Sequence, residues 1–130
     1  MSSRGTFTKN GHATKGEYKM VRMVHDAKVL VGIDGRHSLP DYSHSPNSKY
    51  IKESADGSFR ELRDYDSKGN PIIEIGYHGE LHLTGNRHEK VLHYHLFGPD
   101  LERIMGGRLS PTENADIYRK YKKYLKEYGL

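Results

Sequence analysis

The sequence predicts an α+β fold: an antiparallel β-meander of about six strands packed by one C-terminal α-helix. Two observations predict it. Short runs of β-branched, aromatic and flexible apolar residues recur from Tyr18 to Phe97, divided by turn signals such as Asp34-Gly35 and Asp56-Gly57. Beyond Gly98-Pro99 the period changes, and Ile117, Tyr118, Tyr121, Tyr124, Leu125 and Tyr128 recur at helical spacing. A length of 130 residues suits one domain with a real core. Residues 17–130 form that domain, and residues 1–16 precede it as a flexible basic arm.

The arm is polar and Gly-rich, with Arg4, Lys9 and Lys15 and almost no apolar residue except Phe7. It could clamp an anionic ligand or a partner subunit in a homo-oligomer; a frayed tail is the simpler reading. Tyr18 to Val24 and Lys28 to Ile33 read as a hairpin, the second strand being apolar on both faces and therefore central. Arg36 to Ser48 is a long loop with two prolines and four serines, and Arg36 and His37 stand just past the strand end, where a scaffold can aim them. Lys49 to Ser54 and Phe59 to Tyr65 make a second hairpin around Asp56-Gly57.

Pro71 leads into the strand Ile72 to His78, with Ile73, Ile75 and Tyr77 on one face and Ile72, Glu74, Gly76 and His78 on the other. Lys90 to Phe97 is the last strand. Asp100 to Met105 is expected to make one helical turn before Gly106-Gly107. Ser110-Pro111-Thr112-Glu113 has the form of a capping box with proline at the first helical position, so the final helix is expected to start there. Its tyrosine stripe could stack on bases. The better reading is that the stripe packs on the sheet with its hydroxyls at the rim.

There is no cysteine, which excludes disulfides, thiolate metal sites and thiol nucleophiles. No apolar run is long enough to cross a bilayer, and the N-terminus lacks the apolar core of a signal peptide, so a cytoplasmic protein without membrane contact is expected. A net charge of +4 favours an anionic partner, a nucleotide or RNA. No Gly-rich phosphate-binding motif is present, and no elbow motif supports a Ser/His/Asp triad.

The chemistry concentrates between Tyr77 and Phe97, which hold five of the nine histidines: His78, His82, His88, His93 and His95. On a strand, His93 and His95 project to one face about 6–7 Å apart. Two imidazoles so placed can act as acid and base at a phosphodiester, with a cation such as Arg87, Arg36 or Lys90 on the phosphate. Alternatively they can hold one divalent transition metal, with His78 as the third ligand and Glu80 or His82 as substitutes. Spacing alone does not choose between these. Histidines on a half-wet strand can also be mere filler. Glu74, on the face of His78, could orient an imidazole or form a cross-strand salt bridge. His82 and His88 read as loop bystanders.

Several stretches carry a resemblance: Met1-Ser2-Ser3-Arg4-Gly5-Thr6-Phe7, Asp34-Gly35-Arg36-His37-Ser38-Leu39-Pro40, Tyr65-Asp66, Gly76-Tyr77-His78, Leu83-Thr84-Gly85-Asn86-Arg87 and Val91-Leu92-His93-Tyr94-His95. Together they resemble a family of small proteins encoded in phages and prophages of Gram-positive bacteria, often near head-morphogenesis genes. The His-x-His core is similar to C-terminal domains of bacterial polymorphic toxins. The resemblance implies a mobile-element protein working in the host cytoplasm, with His78, His93, His95, Arg36 and His37 as shared positions. A proline is expected where this chain has Leu81, and His82 is a further departure, which weighs against a role for His82.

These readings lead to a histidine-dependent phosphodiesterase or nuclease acting on RNA or on a nucleotide second messenger, in a role against host defence. Catalysis would fall to His93, His95 and His78, and phosphate binding to Arg87, Arg36, His37 and Lys90. A non-catalytic sponge that sequesters a phosphorylated nucleotide immune signal is the alternative. A virion accessory protein without a small ligand is a third.

Overall fold

The computed structural model describes residues 18–33 and 38–130. The basic arm 1–16 and the loop residues Arg36 and His37 lie outside the described residues. The fold is α+β. Seven strands form one sheet in sequence order: β1 (Tyr18–Val24), β2 (Ala27–Gly32), β3 (Lys49–Glu53), β4 (Phe59–Tyr65), β5 (Pro71–Gly79), β6 (Lys90–Phe97) and β7 (Arg103–Arg108). A short helix α1 (Leu81–Thr84) interrupts the β5–β6 connection, and α2 (Ala115–Lys126) follows the sheet. Among the described residues no helix is long and apolar enough to cross a membrane.

The sheet has seven strands rather than about six because the expected helical turn at Asp100–Met105 does not form. Asp100 and Leu101 both take left-handed backbone angles (φ 56° and 65°), which a right-handed helix cannot continue. The chain reverses instead, closed by the Gly98 N–H donating to the Glu102 carbonyl at 2.6 Å, and Arg103–Arg108 pairs antiparallel with β6. Gly106 fits inside β7 for a local reason. A β-carbon at Gly106 would lie 2.6 Å from the Tyr94 carbonyl oxygen and 2.8 Å from His95 Nδ1.

All neighbouring strands pair antiparallel except β2 and β3, which pair parallel, so the meander is broken there. A parallel pair needs a crossover, and the Pro- and Ser-rich segment before β3 supplies it. Its described part is firmly tied down. Leu39 is buried, Tyr65 Oη donates to the Pro40 carbonyl, the Ser43 N–H donates to the Gly69 carbonyl at 2.8 Å, and Ser43 Oγ lies 2.7 Å from Tyr50 Oη.

The two faces of the sheet are chemically different. One carries Val29, Ile51, Leu62, Ile73, Ile75 and Tyr94 and packs against Tyr118, Tyr121, Tyr124 and Leu125 of α2. The tyrosine hydroxyls end on acceptors: Tyr121 inside the core on buried Asp64 at 2.6 Å, and toward the rim Tyr128 on Glu53 at 2.6 Å, Tyr124 on Asp26, and Tyr118 on the Leu130 carbonyl at 2.9 Å. The stripe is therefore core with satisfied polar tips. The helix begins later than its sequence signal. Ser110 Oγ accepts from the Thr112 and Glu113 N–H groups at 3.1 and 2.9 Å, but Asn114 then takes φ 52°, so this closes a separate turn and α2 starts at Ala115.

The other face has a small apolar cluster at one end, made of Tyr18, Leu30, Leu39, Tyr50 and Tyr65. A register shift between Met20 and Arg22 lets β1 serve both faces: Tyr18 and Met20 join this cluster, while Val24 joins the core under α2. From there toward β7 the same face turns polar, and the histidines lie on it.

Candidate functional site

Strands β4 to β7 build the site from alternate residues that face away from α2. Glu61 on β4 is opposite Gly76 on β5, which is opposite His93 on β6, which is opposite Arg108 on β7. One register step away, Arg63, Glu74, His95 and Gly106 form a second row. Strand alternation thus puts His93 and His95 on one face, as their spacing predicts.

His93 is the deepest of these groups, only 1% exposed. Its Nδ1 lies 2.8 Å from the Val91 carbonyl, so that nitrogen carries the proton and donates, leaving the Nε2 lone pair outward. Burial, then the neighbouring imidazoles of His78 and His95, hold its pKa below the usual histidine value, against the opposing pull of the Val91 bond and Glu80. His78 repeats the pattern: its Nδ1 lies 3.0 Å from the Gly79 carbonyl, which again frees Nε2. The His78 and His93 rings meet edge to face with centroids 4.6 Å apart, and His93 and His95 do the same at 5.4 Å.

Gly76 makes this assembly possible. A β-carbon there would lie 2.8 Å from His78 Nε2 and 3.1 Å from His93 Nε2, so both lone-pair nitrogens share the space above a bare backbone. Gly106 does the same for the His95 ring. Gly79 matters differently. A β-carbon there would overlap the Arg87 carbonyl oxygen at 1.6 Å, so only glycine lets the segment after α1 pack back on the end of β5. That close approach sets Glu80, the next residue. Its backbone carbonyl accepts from the Leu83 and Thr84 N–H groups and opens α1, and its side chain is left to the histidines.

The Glu80 carboxylate sits between the imidazoles. Glu80 Oε2 is 3.7 Å from His93 Nε2 and 3.7 Å from His95 Nε2. The ligating atoms of Glu80, His93 and His95 all lie within 4.8 Å of one another, a group able to hold a metal ion. His78 stands beside this group and is not one of the three. The residue named only as a substitute, Glu80, therefore occupies the third place. On the far side of His95 a cleft of about 320 Å³ opens, lined by Glu80, His82, His95, Arg103, Ile104 and Gly106.

Among the expected phosphate-binding cations, Lys90 faces away from the histidines. Lys90 starts β6 on the α2 side of the sheet, with its Nζ 5.7 Å from the Tyr77 ring centroid. Arg87 is exposed on the loop before β6, while Arg36 and His37 are outside the described residues. The cations on this face are ones the sequence reading passed over. Arg103 reaches Glu74 Oε1 at 2.9 Å, Arg63 reaches Glu74 Oε2 at 2.5 Å, and Arg108 donates to the Leu83 carbonyl, tacking α1 to β7. Glu74 is thus a buried bridge between two arginines rather than an orienting partner for an imidazole. Glu61 lies on the same polar face, and burial, then the Glu74 charge, raises its pKa. His82 and His88 are exposed; His82 lines the cleft, and His88 does not.

No protein-family model, curated protein or solved structure matches this chain.

Proposed function

We propose that this chain is a histidine-dependent phosphodiesterase, cleaving RNA or a nucleotide second messenger. The observation that carries the reading is the placing of His78 and His93 Nε2 over Gly76, beside His95 and Glu80 at the wall of a cleft. Imidazoles with fixed tautomers and free lone pairs suit proton transfer near neutral pH. In the reaction, a hydroxyl or water oxygen bonds to phosphorus and gives its proton to an imidazole Nε2. The P–O bond to the leaving oxygen breaks, and that oxygen takes a proton from an imidazolium. The chain's net charge of +4 favours an anionic substrate, and Arg103 is among the residues lining the cleft. The resemblance to phage and prophage proteins supports an intracellular, mobile-element role, and action against host defence in the host cytoplasm is part of the proposal.

Incubation with RNA and with cyclic nucleotides, followed by heat denaturation and analysis of what is released, tests the reading. Cleavage by the wild type, reduced about 10²-fold or more in His95→Ala, is the expected result. Recovery of intact nucleotide after denaturation would support sequestration, and neither cleavage nor binding would overturn both.

A further inference from the structure

We propose that Glu80, His93 and His95 bind one divalent transition-metal ion, with His78 outside the coordination shell as the proton acceptor. The two 3.7 Å separations are the first reason. They are too long for direct hydrogen bonds, which close at about 2.7–3.2 Å. They approach the distance of about 3.4 Å between two ligand atoms on a tetrahedral ion with bonds of about 2.1 Å. Two imidazoles and a carboxylate are also a donor set that suits zinc, cobalt or manganese, and three protein ligands leave a position open for water or substrate.

The surroundings agree. The Val91 carbonyl fixes the His93 tautomer so that Nε2 faces Glu80, the arrangement that metal-bound histidines need. Gly106 clears the space beside His95. Charge adds a reason. The Glu80 carboxylate, set between the two imidazoles, works against a phosphate in the position an acid–base pair would need it to occupy. A divalent ion outweighs that single negative charge and makes the centre attractive to phosphate. His78 keeps a free Nε2 close to that of His93. It can take the proton from ion-bound water as the oxygen bonds to phosphorus, then return it to the leaving oxygen as the P–O bond breaks.

The ion's part in a reaction rests on the phosphodiesterase reading, whereas ion binding does not. The test is titration of the full chain, stripped with chelator and dialysed, with Zn²⁺ by calorimetry and Co²⁺ by visible absorption. One ion per chain is expected, with the absorption of tetrahedral cobalt. Glu80→Ala and His95→Ala, both at partly exposed positions that the core does not need, should weaken binding at least about 100-fold, and His88→Ala should bind as the wild type does. Absence of saturable binding in the wild type, or wild-type affinity in Glu80→Ala and His95→Ala, would overturn the metal site. A chain that binds no ion yet cleaves RNA in chelator loses only the metal. One that binds the ion through these residues but cleaves no phosphodiester keeps the metal site and loses the proposed activity.

Discussion

Gly76→Ala should damage the site while leaving the fold nearly intact. The new methyl group would stand 2.8 Å from His78 Nε2, 3.1 Å from His78 Cδ2 and 3.1 Å from His93 Nε2, closer than ordinary van der Waals contact. His93 is buried and held by the Val91 carbonyl, so His78 is the ring that must yield. Swinging it out breaks the 3.0 Å bond to the Gly79 carbonyl, at a cost of about 0.5–1.5 kcal/mol. Replacing a strand glycine by alanine returns about 0.5–1 kcal/mol of backbone entropy. The two nearly cancel, and urea unfolding should show a change within about 1 kcal/mol. Function should respond very differently, because a displacement of about 1 Å in a reacting group costs about 10²-fold in rate. The assays are urea denaturation followed by circular dichroism, and phosphodiester cleavage by the same preparation. A Gly76→Ala protein that is well folded and cleaves at the wild-type rate would refute the shared space over Gly76 as the working part of the site.

Three stability predictions concern the supports. Tyr121→Phe removes the 2.6 Å bond to buried Asp64 and should cost about 1.5–3 kcal/mol in urea unfolding, since the acceptor is charged. Glu74→Ala removes the close carboxylate partner of the buried Arg63 guanidinium, leaving the Pro40 carbonyl at 3.2 Å and the Asp41 carboxylate at 3.8 Å; a loss of about 3 kcal/mol or more is expected by the same measurement. Glu61→Gln should stabilise the fold at neutral pH. The Glu61 pKa is raised in the fold, first by burial and second by the Glu74 charge, so the native state holds this proton more tightly than the unfolded chain. Wild-type stability therefore falls as pH rises through the window above the ordinary glutamate value, and the advantage of the variant should grow across that window in unfolding curves.

Strand alternation made much of this site readable in advance. His93 and His95 share a face because they are two apart, and His78 joins them because β5 and β6 pair with His78 opposite Val91. The same rule places Lys90 with Leu92 and Tyr94 on the other face, so its nearness to the histidines in sequence does not bring it to them in the fold. The place of Glu80 is less legible. Its position depends on the packing of the Arg87 carbonyl against Gly79, a contact across eight residues that no local pattern encodes. The arginines of β7 were hidden because Arg-Ile-Met-Gly-Gly-Arg does not look like a strand until His95 needs room above Gly106. The parallel β2–β3 pair was hidden because a Pro- and Ser-rich loop does not announce on which side the chain returns. The α2 tyrosines were legible as core from their spacing, while their carboxylate partners come from strands and turns far away in the chain.

The most direct test is the single-turnover rate of phosphodiester cleavage by the wild type, His95→Ala and His88→Ala. These positions separate the proposed centre from a histidine on the nearby loop. If the histidines over Gly76 and beside Glu80 form one reactive centre, His95→Ala should lose about 10²-fold or more, and His88→Ala should match the wild type. Equal rates in all three proteins would contradict the account.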